Sequence, residues 1–552
     1  MKRITVLILA LSLVLSGCLG SNSNETEGNT KTTPNAAAIN TDAVNPAGVL
    51  PITNEKTTIS VLVNGSATVE NFATNEFTKW LEEKTNIHIK WEIAPPSAAV
   101  EKLNLVLSSG DFPDVIMGFG VTPSQRMIYG SDGIFIPLND LIEKYGVETK
   151  RVFKELPIAK ELVTAGNGKI YALSYVNQCY HCTHHQRMWM YQPWLDKLGL
   201  KTPTTTEEFY QVLKAFKEKD PNGNGKADEI PLTGSPNNYN TSIDSFLMNA
   251  FIINNGASKL YVDKGKIEVS YNKPEWKEGL EYIRKLYAEG LIAPQTFTQD
   301  GNQLKQLGEN PIPIMGAASA HNMISITQQN APTGRWLEYL AVPALKGPKG
   351  VQLAALAPFP GTNGDFIITK NAKNPEAAFR LADFMYREET TLRWFSGREG
   401  VEWRRAEKGE IGINGKPAIW KQITPWGAVG NTNWSQRGLG YISNDLKLGD
   451  VADPKNPLEL RLYEETKTKM EPYSQTLESV VPPLYFSAED AREIAELEKT
   501  LLDHMKEMVA RFVTGDADLG KGWDSYLQNL NDMNLKKYLE IYQKTYDQKY
   551  KK

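Results

Sequence analysis

Cysteine and histidine are scarce in this 552-residue chain: three Cys and six His in all. Cys18 stands near the start, and Cys179 and Cys182 share one short loop with His181, His184 and His185. No set of distant Cys and His exists to build a four-ligand zinc site of the usual kind. Phosphate-cradling and hydrolytic signatures are missing too. Gly225-Lys226 lacks the spacing and the following Ser or Thr of a Walker loop, and no GxGxxG, HExxH or GxSxG occurs. Net charge is only −4 at pH 7, so no global basic field recruits nucleic acid. No internal repeat is visible. Carboxylates are plentiful, but no pair is singled out as a glycosidase acid and base.

The start of the chain is a targeting segment. Lys2 and Arg3 precede an apolar run, Ile4 to Leu15, that is short for a bilayer span. It ends in Leu15-Ser16-Gly17-Cys18, a bacterial lipobox. Residues 1–17 therefore read as a signal peptide and Cys18 as the lipid-bearing first residue of the mature chain. Residues 18–50, rich in Ser, Asn, Thr, Gly and Ala, hold too little apolar content to pack and read as a flexible tether. The expected location is the outer face of the cell membrane, with contact to the bilayer through the anchor alone.

Length argues for two large lobes. Ile59, Val61 and Val63 alternate as in a strand. Phe72, Phe77, Trp80 and Leu81 suggest a helix face, and Ile87, Ile89, Trp91 and Ile93 alternate again, with His88 facing solvent. Strands alternating with helices predict an α/β fold with parallel sheets covered on both faces, and ligands at the carboxyl ends of their strands. Thr205 and Glu208 form a capping box, and Asn374-Pro375-Glu376 opens another helix. From residue 491, apolar residues at steps of three and four predict a long helix ending near Gly515. A last helix carries Tyr538, Tyr542 and Tyr546 as a docking stripe.

Two loops carry chemistry. In Asp220-Pro-Asn-Gly-Asn-Gly-Lys-Ala-Asp-Glu229, oxygens stand at the first, third and fifth positions (Asp220, Asn222, Asn224), with Gly225 at the sixth. That begins a calcium loop of EF-hand type, in which Lys226 offers its carbonyl and Asp228 follows. Pro231 stands where the bidentate Glu belongs, and Glu229 closes the shell instead. A polar Asn-Gly turn is the competing reading. With no paired second loop, the ion's expected job is structural. The other loop, Cys179 to His185, is open to three readings: a Cys179–Cys182 disulfide, inert thiols or a soft-metal site.

The chain is rich in rings, with 12 Trp and 23 Tyr, and such rings stack on pyranose faces. Trp403, Trp426 and Trp434 lie outside clear helix faces, Trp189 follows the Cys-His loop and Tyr239 follows the calcium loop; these are the candidate sugar contacts. Arg398 and Arg437 are candidate partners of a uronate carboxylate. Trp80 and Trp91 are assigned to packing.

Several stretches in this order resemble one family: Leu107-Ser-Ser-Gly-Asp-Phe-Pro-Asp-Val115, Asp132-Gly-Ile-Phe-Ile-Pro-Leu138, Trp194-Leu-Asp-Lys-Leu-Gly-Leu200 with Pro203-Thr-Thr205, Gly397-Arg-Glu-Gly-Val401, and a tail from Gly522-Trp-Asp524 to Tyr538-Leu-Glu-Ile-Tyr-Gln543. The chain resembles the extracellular solute-binding lipoproteins of ABC sugar importers, in the Gram-positive oligosaccharide branch that includes alginate-oligosaccharide binders. The resemblance implies a two-lobe periplasmic-binding-protein-like fold with a hinge and central cleft. It also implies a non-enzymatic monomer that captures an oligosaccharide for a permease, and a calcium site at Asp220, Asn222, Asn224, Lys226, Asp228 and Glu229. By analogy, crossings between lobes fall near Ser174–Arg187, Ile312–Ala320 and Gly361–Ile367. The lobes would then be 51–178 plus 312–362, and 179–311 plus 363–552. His181, His184 or His185 would line the cleft mouth. Rival classes are a lipid-anchored carbohydrate-active enzyme, a surface metal- or redox-handling lipoprotein using the Cys-His loop, and, within the receptor class, a peptide binder.

Overall fold

The computed structural model describes residues 44–551 except 237, 362, 426 and 427. The signal peptide, Cys18 and Trp426 thus lie outside the described residues. Among those described, eight strands build two four-stranded sheets: β1 (Thr57–Asn64), β2 (Ile87–Ala94), β3 (Val115–Val121), β4 (Met188–Tyr191), β5 (Ile230–Thr233), β6 (Met315–Ser319), β7 (Tyr339–Val342) and β8 (Gly364–Ile368). The first sheet has the order β8-β3-β1-β2 and the second β7-β4-β6-β5.

Side chains alternate across a strand, so a central strand must be apolar on both faces to be buried. β1 shows this: Ile59, Val61 and Val63 enter one core while Leu62 enters another behind the sheet. β3 divides likewise, Val115 and Met117 against Ile116 and Val121. The helix Pro375–Met385 covers the first face with Ala378, Leu381 and Met385, and the helix Ala99–Ser109 covers the other with Leu103 and Val106. In the second lobe, β4 and β6 are buried along their whole length. Gly316 in β6 is demanded by packing: a Cβ there would sit 2.5 Å from Phe216 and 2.9 Å from Trp194.

The helix signals lie where the residues put them. Thr205 and Glu208 form the reciprocal capping box of Thr206–Glu218. Asn374 caps the helix Pro375–Met385 by accepting from the Ala377 N–H. The long helix runs Ala488–Thr514 and stops at Gly515, whose φ of 90° suits glycine.

Three expectations need correction. First, the sheets are mixed. β1, β2 and β3 are parallel, but β8 is antiparallel to β3. β5 and β6 are parallel, but β4 is antiparallel to both neighbours. Helical crossovers bring strands back in the same direction. β4 and β8 instead follow crossings, so each enters from the cleft side, where the parallel strands end.

Second, the segments are allotted the other way. Residues 315–319 are not a crossing; they are β6, in the second sheet with β7, while β8 belongs to the first. The chain passes to the second lobe between Leu173, bonded to Phe366, and Arg187, bonded to Ala320. It returns between Ala354, which bonds Tyr473, and Gly364. The third passage lies between the helix Asn444–Leu448, whose Leu446 is in the first core, and the helix Leu458–Lys469, whose Leu462 is in the second.

Third, residues 44–50 are not part of a free tether. Arg380 donates to the carbonyls of Asn45, Pro46 and Val49, and Arg387 to that of Gly48. Val44 and Leu50 pack on the first core.

Candidate ligand cleft and oxygen-rich loop

The carboxyl ends of the parallel strands supply both cleft walls. In the first lobe, β3 ends through Gly118 and Gly120, at φ +73° and +62°, backbone that favours glycine. Arg437 lies against Gly118, its Cδ 3.5 Å from where a Cβ would stand. It is fixed by its Nε, which donates to the Gly65 carbonyl (3.1 Å) just past β1, and by its own carbonyl, which accepts from Trp394 Nε1 (3.1 Å). Asp365, at the start of β8, accepts from the Tyr175 N–H (2.9 Å). Burial pushes its carboxyl up to about 7, against the downward pull of that bond and of Arg126 and Arg437.

This shift has a consequence for stability. Folded Asp365 holds its proton to a higher pH than the unfolded chain does, so stability falls as pH rises from the ordinary Asp range to about 7. Asp365→Asn keeps the acceptor for Tyr175. It is expected to flatten this part of the profile and to raise the melting temperature above pH 7, as read by thermal denaturation from pH 4 to 8.

In the second lobe the loop after β5 is closed by the Ser235 N–H bonded to the Thr241 carbonyl (2.9 Å), and Tyr239 stands at its tip. Tyr239 is 62% exposed, its ring 5.7 Å from that of His185 and 5.2 Å from that of His321. Burial pushes both imidazoles down to about 4, so they flank the ring uncharged at neutral pH. A cavity of about 520 Å³ joins Tyr239 and His185 to Ile158 of the first lobe and to the crossing segments at Asn177–Cys182 and Leu356–Pro360. A second cavity, about 600 Å³, lies by the third crossing. Its Trp336 is buried and, of its three lining cations, Arg404 and Lys421 are already paired with Glu410 and Asp453. The first therefore better fits a ligand that needs an open ring face.

Cys179 and Cys182 are joined as a disulfide across the turn that carries the histidines. Arg187, fully buried, binds this turn to its surroundings by donating to the carbonyls of His181 and His321 and to Thr466 Oγ1. Lys447 and Glu459, from the helices on either side of the third crossing, pair at 2.9 Å. Sequence reasoning missed Arg126, Arg187, His321, Asp365 and this ion pair. A signal existed for two of them: Arg187 abuts the apolar run Met188–Tyr191, and Asp365 interrupts an otherwise apolar strand.

The sequence-derived contacts fare unequally. Trp189 is fully buried, its Nε1 donating to the Ala320 carbonyl (2.9 Å). Trp403 (1% exposed) donates to the Gly397 carbonyl, and Trp434 (1%) to Thr78 Oγ1 while packing edge-on against Phe77 and Trp91. These three are core residues with no face left for a sugar. Arg398 is held by both oxygens of Glu402 (3.1 and 2.7 Å). Tyr239 lines the 520 Å³ cavity, Arg437 stands beside Gly118 at the end of β3, and His184 is buried.

In the oxygen-rich loop, Asp220 sits at φ 45°, and its carboxylate accepts the N–H groups of Gly223, Asn224 and Gly225 (2.9–3.1 Å). Gly223 and Gly225 supply positive φ at the two bends. The side-chain amides of Asn222 and Asn224 donate to Asp228, holding its carboxyl below the usual range. Glu229 Oε1 is buried without a hydrogen-bond partner, and burial with Asp220 and Asp228 nearby pushes its carboxyl up.

Two lobes, three crossings and a cleft at strand ends define the architecture of a binding protein that closes on a solute. Residues 60–391 match the family of bacterial extracellular solute-binding proteins, and the chain belongs to that family. It is 31% identical over 486 residues (85% of this chain, 86% of the other) to the fructooligosaccharide ABC transporter substrate-binding protein FusA of Streptococcus pneumoniae serotype 4. The structure of a FusA EF-hand mutant in complex with fructo-nystose superposes with a TM-score of 0.78 at 27% identity, covering 89% of this chain and 99% of that one. Alginate-binding protein AlgQ2 without calcium ion shares the fold at a TM-score of 0.69 and 22% identity, over 90% and 99% of the two chains. No helix among the described residues is long and apolar enough to cross a membrane.

Proposed function

We propose that this protein captures an oligosaccharide in the cleft between its lobes and passes it, uncleaved, to the permease of an ABC importer. The observation that carries this reading is the exposed Tyr239 ring, set between two neutral imidazoles in a cavity lined by both lobes and two crossings. An aromatic face that is open, rigidly backed and uncharged suits the apolar face of a sugar ring. A ligand that touches both walls favours the closed form by the contacts made only there. Arg437, fixed through Nε, leaves its outer guanidinium nitrogens for sugar hydroxyls or a carboxylate. The similar fructooligosaccharide-binding protein supports a carbohydrate over a peptide. Relatives that are binding proteins support capture over turnover, and the lipobox supports an anchor at Cys18 on the outer face of the membrane. The protein acts as a monomer in this reading.

Calcium is proposed for the loop at 220–229. The test of fit is Glu229: a buried, unpartnered carboxylate oxygen beside two aspartates needs a proton or a cation. Asp220, Asn222, Asn224, Asp228 and Glu229, with the Lys226 carbonyl, would hold a hard cation, and rotating the two amides would turn their oxygens inward. The similar FusA structure is described as an EF-hand mutant, which supports such a loop in this branch. The ion would brace the end of the helix Thr206–Glu218 against β5.

A melting-temperature screen against kestose, nystose, maltotriose and digalacturonate tests the binding role. One sugar class is expected to raise the melting point by mass action. Tyr239→Ala is expected to leave the unliganded melting point unchanged and to weaken binding about tenfold or more, ~1.4 kcal/mol. Undiminished affinity in that variant would remove Tyr239 from the site.

A further inference from the structure

The disulfide turn has a feature that sugar capture does not use. The Sγ atoms of Cys179 and Cys182 and a ring nitrogen of His181 lie within 4.8 Å of one another. His181 is oriented from behind: Glu459 Oε2 stands 3.5 Å from its Nδ1, while its Nε2 faces Cys179 Sγ at 3.4 Å. A carboxylate on one imidazole nitrogen, with the other aimed at the ligand cluster, is the arrangement by which outer groups fix metal-binding histidines. Cys182 is exposed, and both cysteines line the 520 Å³ cavity, so ions and small reductants reach the turn from solvent.

We propose that, when this disulfide is reduced by a small dithiol, Cys179, Cys182 and His181 bind one thiophilic divalent ion of the Zn²⁺ class, with its fourth position open to the cavity. Reduction breaks the S–S bond with two electrons from the dithiol, which itself becomes a disulfide. Metal binding then expels the two thiol protons to solvent. In the oxidised form both sulfurs are tied to each other and the site does not exist, so the ion reports the redox state of the medium. Two thiolates and one imidazole with an open position are a recognised zinc donor set. The proposal does not rest on the sugar-capture reading, and its open position faces the same cavity.

The probe is Co²⁺, whose bonds to thiolate give near-ultraviolet charge-transfer bands. The full chain is used with Cys18→Ser, so that the two thiols of the turn are the only ones. Reduced protein is expected to bind one Co²⁺ per chain with these bands, which Zn²⁺ abolishes by displacement; oxidised protein shows none. Cys179→Ser is expected to lose the bands. Glu459→Gln, read in the same titration, is expected to weaken binding about 10–100-fold while keeping the band shape. Far-ultraviolet circular dichroism accompanies each sample. Equal Co²⁺ binding by oxidised and reduced protein overturns the proposal, as do thiolate bands that persist in Cys179→Ser. So does a fold lost on reduction and not restored by the ion.

Discussion

Trp434→Ala is expected to destabilise the protein by about 3–5 kcal/mol and to leave the sugar affinity of the remaining folded protein unchanged. The indole is 1% exposed, and it joins distant parts of the first lobe. Its Nε1 donates to Thr78 Oγ1 at 2.8 Å across 356 residues of sequence, and its ring meets Phe77 at 4.6 Å and Trp91 at 5.0 Å. Truncation removes an indole from this cluster and opens a void among side chains that cannot all collapse into it. Trp189→Ala in the second lobe is expected to act alike, since that indole is fully buried against β6. Denaturant unfolding and titration of the folded fraction check both. A loss of affinity at unchanged stability would instead return either ring to the binding site.

Calcium removal should produce the next largest effect. At calcium a hundredfold above Kd, binding contributes about 2.7 kcal/mol, and a chelator removes it. The melting temperature is expected to fall by a few degrees with no sugar present. Glu229→Gln gives a sharper signature, because its amide needs neither proton nor cation. With calcium the variant is expected to be less stable than wild type. With chelator it is expected to be at least as stable, since no charged oxygen is then left buried without a partner. The order of the two proteins thus reverses with the ion. Melting curves that ignore chelator in both would show that the loop is only a polar turn.

What could be read in the sequence was local. Asp220 to Glu229 declares itself because its oxygens and glycines fall within ten residues, and a turn is built by its own atoms. The capping box at Thr205 and the stop at Gly515 are legible for the same reason. The tryptophans were not. Trp189, Trp403 and Trp434 look loop-borne in isolation, but their partners lie elsewhere in the chain, and burial is a property of those partners. The allotment of segments failed likewise. β6 and β8 are both short apolar strands, and nothing within either says which sheet accepts it. The cleft was not legible from local pattern: His321 reaches Tyr239 only because β6 ends beside the loop after β5.

The most direct measurement is a calorimetric titration of the purified protein with the oligosaccharide that raises its melting point, followed by mass analysis of the sugar recovered. A single saturable site, weakened by Tyr239→Ala, with sugar returned at its original length, is the predicted result. Shortened sugar, or the absence of saturable binding by any oligosaccharide tried, would contradict the account.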